Sequence, residues 1–305
     1  MTQPKVRRSA LYTPGSNPAV LLKAARSRAD VLIFDLEDAV APDSKVEARH
    51  TVARALADPA LAGRQIVVRV NGIGTPWCED DVRTMAGQGA TGILFPKIGT
   101  EDDVTHAEAV LSSHGAPLEM ELWCMIETPL SILNAQLLGK MAGRAGSRMS
   151  TWVLGTNDLV KELKAQHTPL REGLVPMLAM ALLGARAAGL AILDGVHNNV
   201  SDTEGFERIC TQGREMGFDG KTLIHPTQVA ACNRIFSPTA QEVQDAQAVI
   251  DAFSLPENRD KGVIQLKGRM VELLHADIAR QTLAMAQAID LSNQAAPPEP
   301  PAPRS

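Results

Sequence analysis

Eight short apolar runs recur along the chain, each separated from the next by a segment long enough for a helix. They read Ala10-Leu-Tyr12, Val31-Leu-Ile-Phe34, Ile66-Val-Val-Arg-Val70, Gly92-Ile-Leu-Phe95, Leu122 to Ile126, Trp152-Val-Leu154, Leu190-Ala-Ile-Leu193 and Gly220-Lys-Thr-Leu-Ile224. Segments of helical character lie between several of them, among them Asn17 to Arg28, Asp43 to Ala57, Glu101 to His114 and Thr203 to Met216. Strict βα alternation implies a parallel sheet, because parallel neighbours must be joined by a crossover. Eight strands within about 220 residues fit a closed (β/α)8 TIM barrel better than an open doubly wound sheet, and no G-x-G-x-x-G loop follows any strand.

Polar residues close nearly every run: Pro14-Gly15-Ser16, Asp35/Glu37/Asp38, Arg69/Asn71, Pro96-Lys97, Glu127, Asn157-Asp158, Asp194 and His225. A barrel gathers all those ends on one face, so charges distant in sequence converge there. Glu127 is the sharpest case, a lone carboxylate after an apolar run, followed by Pro129, which cannot extend a sheet ladder. Such a group is costly unless a cation, a donor or water meets it. Glu127 and Asp158, on one rim without a Cys or His cluster, suit a hard cation such as Mg2+; each can alternatively accept backbone N–H groups as a helix cap. Arg69 protrudes from an apolar strand, and its guanidinium can grip a carboxylate through two parallel hydrogen bonds or pair with Asp35 or Glu37 inside the barrel. The two roles are compatible, because a buried Arg needs an anion when no substrate is present. Asp35, Glu37, Asp38 and Lys97 are read as supporting groups around Arg69 and the metal. His197 and His225 also sit at strand ends, although Pro226 after His225 favours a structural turn there.

Charge narrows the choice of partner. A net charge of −5, with Lys and Arg scattered, leaves no footprint for nucleic acid or an anionic membrane. No stretch approaches about eighteen consecutive apolar residues, and Met1 to Arg8 leads into the chain without an apolar signal core. The expectation is a cytoplasmic protein with a small-molecule partner. Cys78, Cys124, Cys210 and Cys232 are dispersed without a C-x-x-C pair, which reads as reduced structural thiols. After His225-Pro226 the alternation stops. Pro238 to Phe253 reads as a helix, Leu255 to Gly268 as a loop or short hairpin, and Arg269 to Ile289 as a second amphipathic helix. Three parts are therefore expected: a barrel over residues 1–235, a helical lid or oligomer segment over 236–292, and a Pro-rich tail over 293–305 with too little to bury for order.

Several pieces are shared, in order, with a known family: Leu11-Tyr-Thr-Pro-Gly15-Ser, Phe34-Asp-Leu-Glu-Asp-Ala-Val-Ala-Pro-Asp43-Ser-Lys45, Val68-Arg69-Val-Asn71, Phe95-Pro-Lys97, Ile126-Glu127-Thr-Pro129, Gly155-Thr-Asn-Asp158-Leu and Gly217-Phe-Asp-Gly-Lys221 with Ile224-His-Pro226. With these the chain resembles the HpcH/HpaI aldolase/citrate lyase family, in particular its citrate lyase β-subunit-like members and their malyl-CoA and citramalyl-CoA lyase relatives. The resemblance implies Mg2+ held by Glu127 and Asp158, with Arg69 facing a substrate oxygen. It also implies a homotrimer whose C-terminal segment reaches a neighbour's site, and Claisen-type chemistry on coenzyme A thioesters. The CoA phosphates are expected near Lys5, Arg7 or Arg8. Where family lyases often carry an Asp in the C-terminal segment as acid or base, this chain presents Glu272, whose extra methylene displaces a proton-transfer group. The stretch Gly139 to Ser147 and the loop Val196 to Val200 also differ from common relatives, which bears on substrate identity.

The leading expectation is thus a Mg2+-dependent lyase acting on a β-hydroxyacyl-CoA such as malyl-CoA or citramalyl-CoA. Alternatives on the same scaffold are a thioesterase and a citrate lyase β-subunit working on an acyl-carrier protein. A non-catalytic CoA-ester-binding barrel is disfavoured by the acids at the strand ends, since unpaired charge without a function costs stability.

Overall fold

The computed structural model describes residues 4–295. Within them the chain divides into two compact units, Arg7–Asn233 and a second unit made of Arg234 onward with the residues before Arg7. In the first unit, eight parallel strands close into a barrel in sequence order. They are β1 (Ser9–Pro14), β2 (Val31–Asp35), β3 (Gln65–Arg69), β4 (Gly92–Phe95), β5 (Glu121–Ile126), β6 (Met149–Leu154), β7 (Ala191–Asp194) and β8 (Gly220–Leu223). Every apolar run of the sequence forms one of these strands, and helices alternate with them as a (β/α)8 barrel requires.

Side chains alternate across each strand, so every second residue enters the barrel. The inward rows Ala10, Val31/Ile33, Val67, Leu94, Trp123/Met125, Val153 and Leu193 form one buried apolar cluster, with Tyr12 packed against it. Extending these rows by two residues gives Asp35 after Ile33, Arg69 after Val67, Glu127 after Met125 and Gly155 after Val153. The period of two thus carries a row of chemistry directly above the apolar layer. Below that layer the interior is closed by a polar floor, where Arg7 donates to both carboxylate oxygens of Glu121 (2.7 and 2.6 Å) and to Thr151 (2.5 Å). Trp123 Nε1 also donates to Glu121, at 2.6 Å.

The second unit contains the helix Ala240–Ser254, a hairpin of β9 (Val263–Leu266) and β10 (Arg269–Glu272), and the helix Leu273–Ala295. The expected helix from Arg269 therefore begins four residues later, and its first turn is a strand. Lys267 and Gly268, both at positive φ (49° and 78°), make the two-residue turn joining paired Leu266 and Arg269. That geometry matches the right-handed twist of a hairpin and diverts Arg269–Glu272 from helix to ladder. The final helix runs to Ala295, so residues 293–295 of the expected tail are helical; residues 296–305 lie outside the described residues. Among the described residues no helix is long and apolar enough to cross a membrane.

Candidate active site

The register of β2 against β3 sets Asp35 opposite Arg69. Arg69 donates through Nε and Nη2 to the two oxygens of Asp35, both at 2.7 Å, and its Nη1 stands 3.0 Å from Glu37 Oε2. Its guanidinium lies over the Tyr12 ring, 4.9 Å from the centroid. Asp35 also accepts from the backbone N–H groups of Glu37 and Ala39, which fixes the turn after β2. The ion-pair reading of Arg69 holds in this geometry, and the same residue also lines the cavity described below. Asp38 is mostly exposed, 3.7 Å from Arg69. Lys97 donates from Nζ to Glu37 Oε1 at 2.9 Å.

Glu127 is buried, with 1% of its surface exposed. Its Oε1 accepts the backbone N–H of Lys97 at 2.8 Å, whereas its Oε2 has no hydrogen-bond partner. Burial, reinforced by the Glu37 charge, pushes its carboxyl up to about 8. The chain turns directly after it: Thr128 caps the next helix, exchanging hydrogen bonds with Ser131, and Pro129 occupies the first turn, where its missing N–H costs nothing. Across from it, β6 ends at Leu154 and leads through Gly155 into the helix Thr156–Glu162, whose first turn carries Asp158. Gly155 is required by contact, because a Cβ there would overlap the Glu127 side chain. Asp158 is near enough to raise the Glu127 carboxyl further.

A cavity of about 380 Å³ opens at these strand ends. Asp35, Asp38, Arg69, Asn157 and Asp158 give it a polar side, and Tyr12, Met125, Leu154, Val196 and Ile224 an apolar one. Among the described residues, no group of three or more His, Cys, Asp or Glu side chains is arranged as a metal cluster. Two carboxylates suffice for Mg2+, which keeps most of its water shell, and an orphaned buried oxygen beside a second carboxylate fits that hard cation.

Arg7 and Arg8 fall at the other end of the barrel. Arg8 precedes β1 and so lies at the amino-terminal end of the barrel, where its guanidinium is committed to Asp30 through hydrogen bonds of 2.9 and 2.7 Å. That placement sets it at the opposite end of the barrel from the cavity, and Arg7, in the floor, lies at the same end. Lys5 is exposed and belongs to the second unit, as does Glu272, which ends β10 and donates its backbone N–H to His275 Nδ1 at 3.0 Å. His225 is exposed and paired with Thr227. Sequence reading passed over Tyr12, Met125 and Gly155, although a glycine directly after a strand is a signal of close approach.

The HpcH/HpaI aldolase/citrate lyase family profile matches residues 8–226. The chain belongs to that family. It is 45% identical over 283 residues to a (3S)-malyl-CoA thioesterase of Cereibacter sphaeroides, spanning 92% of this chain and 95% of that one. It is 33% identical to citrate lyase subunit beta of Leuconostoc mesenteroides, over 94% of this chain and 96% of that one. Among solved structures it resembles the protein CitE of Mycobacterium tuberculosis in complex with magnesium, acetoacetate and coenzyme A, with a TM-score of 0.74, 27% identity and coverage of 92% and 97%.

Proposed function

We propose that this chain is a Mg2+-dependent enzyme of β-hydroxyacyl-CoA thioesters of the malyl-CoA type, holding the cation through Glu127 and Asp158. The observation that carries this reading is the buried Oε2 of Glu127, without a hydrogen-bond partner, close enough to Asp158 for the two charges to interact and packed on Gly155, which lines the cavity together with Asp158 and Arg69. The neighbouring complex with magnesium and coenzyme A supports it. Bound there, Mg2+ would supply Lewis-acid polarisation of substrate oxygens. Arg69, held flat by Asp35 and Tyr12, presents fixed N–H groups to an oxygen on which charge develops and needs no reorganisation to do so. The apolar wall of Met125, Leu154 and Val196 keeps water from that side of the acyl group.

Hydrolysis of the thioester is favoured by the thioesterase relative at 45% identity. In that reaction the oxygen of water bonds to the thioester carbon, the C–S bond breaks and CoA leaves as its thiol. Carbon–carbon cleavage next to the thioester, the expectation from sequence, is favoured by the citrate lyase relatives. There the hydroxyl loses its proton, the C–C bond breaks and the thioester fragment is reprotonated at carbon. Glu272, delivered from a neighbouring subunit of a homotrimer, is the proton-transfer group of that second reading. The four cysteines, all free and buried, suit a reducing, cytoplasmic setting.

The test is incubation of purified protein with (3S)-malyl-CoA and citramalyl-CoA, with and without Mg2+. Free CoA with an intact hydroxy acid identifies the thioesterase; a shorter acyl-CoA with a 2-oxo acid identifies the lyase. Metal-dependent binding without either product would leave only the binding barrel, and activity confined to mixtures with partner chains and an acyl-carrier protein would mark the citrate lyase subunit. Sedimentation of the active species tests the trimer.

A further inference from the structure

Lys97 follows β4 by two residues and adopts a left-handed backbone, φ 56°, although it is neither Gly nor Asn. Long side chains rarely occupy that region, and such residues persist where the surroundings fix them, often at functional sites. Two bonds depend on Lys97. Its backbone N–H, directed inward by the turn, meets Glu127 Oε1 at 2.8 Å; its side chain, half exposed, reaches the otherwise buried Glu37 at 2.9 Å. Glu37 in turn stands 3.0 Å from Arg69 Nη1, the guanidinium atom not bound to Asp35. One residue therefore touches the candidate metal ligand with its backbone and the partner of the candidate substrate ligand with its side chain.

We infer that Lys97 is a positioning residue with two separable roles. Its N–H occupies Glu127 Oε1 and so leaves Oε2 as the oxygen that would meet the cation. Its ammonium holds Glu37 Oε1, which leaves that carboxylate only Oε2 to share with Nη1 of Arg69, the nitrogen through which the guanidinium would meet an incoming oxygen. Hydrogen bonds of this kind orient ligands without joining them, and losing one commonly costs about 10–100-fold in metal affinity or activity.

The inference rests on the Mg2+ reading above, and the experiment separates the two. Lys97→Asn and Lys97→Val both remove the ammonium, but Asn accepts left-handed backbone and a β-branched residue does not. Mg2+ alone is titrated while thermal unfolding is followed, and kcat and KM are measured on the thioester that the wild type turns over. Lys97→Asn should keep the Mg2+ midpoint of the wild type, or lower it through loss of a nearby positive charge, while kcat/KM falls about tenfold. Lys97→Val should in addition raise the Mg2+ midpoint about tenfold. If the Val protein does not fold, Lys97→Ala strains the same turn less and should show the same direction. Equal Mg2+ midpoints for the Asn and the β-branched or Ala variant, or wild-type kcat/KM in Lys97→Asn, overturn the assignment. A wild type whose stability ignores Mg2+ instead removes the reading beneath it.

Discussion

Arg69 and Asp35 are joined by two parallel hydrogen bonds of 2.7 Å between residues that face each other in the β2–β3 register. Arg69→Ala strips the guanidinium from the cavity and also leaves Asp35 buried without its cation. Breaking such a pair costs about 3–5 kcal/mol, whereas replacing both charges is far milder. Urea unfolding should therefore show Arg69→Ala clearly destabilised and Arg69→Met with Asp35→Asn largely recovered, with turnover absent in both. An Arg69→Ala protein of wild-type stability is the contrary result.

Glu127→Gln keeps the shape of the side chain and its bond from Lys97 while removing the negative charge. Added Mg2+ should raise the melting temperature of the wild type and leave that of Glu127→Gln unmoved, since only binding to the folded state stabilises. Differential scanning fluorimetry across a Mg2+ series reads this directly; a full shift in the variant would exclude Glu127 as a ligand.

The same carboxyl gives metal-stripped protein a pH dependence. Burial, with the Glu37 charge, lifts Glu127 from 4.5 to about 8 in the folded chain. An acid whose folded pKa is raised contributes stability that is fully present below the unfolded pKa and is lost as pH rises through the folded one. In chelator, wild type should lose stability relative to Glu127→Gln between about pH 4.5 and pH 8. Melting curves of the two proteins that stay parallel over that window would contradict it.

Gly155 admits Glu127 against its own backbone. Gly155→Ala should push the carboxylate off its position, abolish the Mg2+-induced shift and cost about 1–3 kcal/mol by overpacking. Calorimetry with and without Mg2+ tests both parts, and an unaltered metal response would show that Glu127 has room to move.

Much of this was legible because a period of two is rigid. Once β5 is recognised as apolar, Glu127 must continue the inward row of Trp123 and Met125, and Arg69 must continue that of Val67. Arg8 shows that nearness in sequence is not nearness in a barrel. It is near Pro14 in sequence, but one precedes β1 and the other ends it, so they lie at opposite ends of the barrel. The turn at Lys97 was hidden for another reason: nothing in a Lys side chain announces left-handed backbone, which is imposed by the packing of its neighbours. A hairpin was expected over 255–268, but its second strand extends to Glu272, into the segment whose spacing reads as helix.

Tyr12 is the only tyrosine among the 305 residues, and its ring stacks on Arg69 at the cavity wall. Growth on 3-fluorotyrosine would therefore label this protein at one point, in the wall of that cavity. A single fluorine resonance would then follow the guanidinium through each addition of cation or thioester, with no assignment problem to solve.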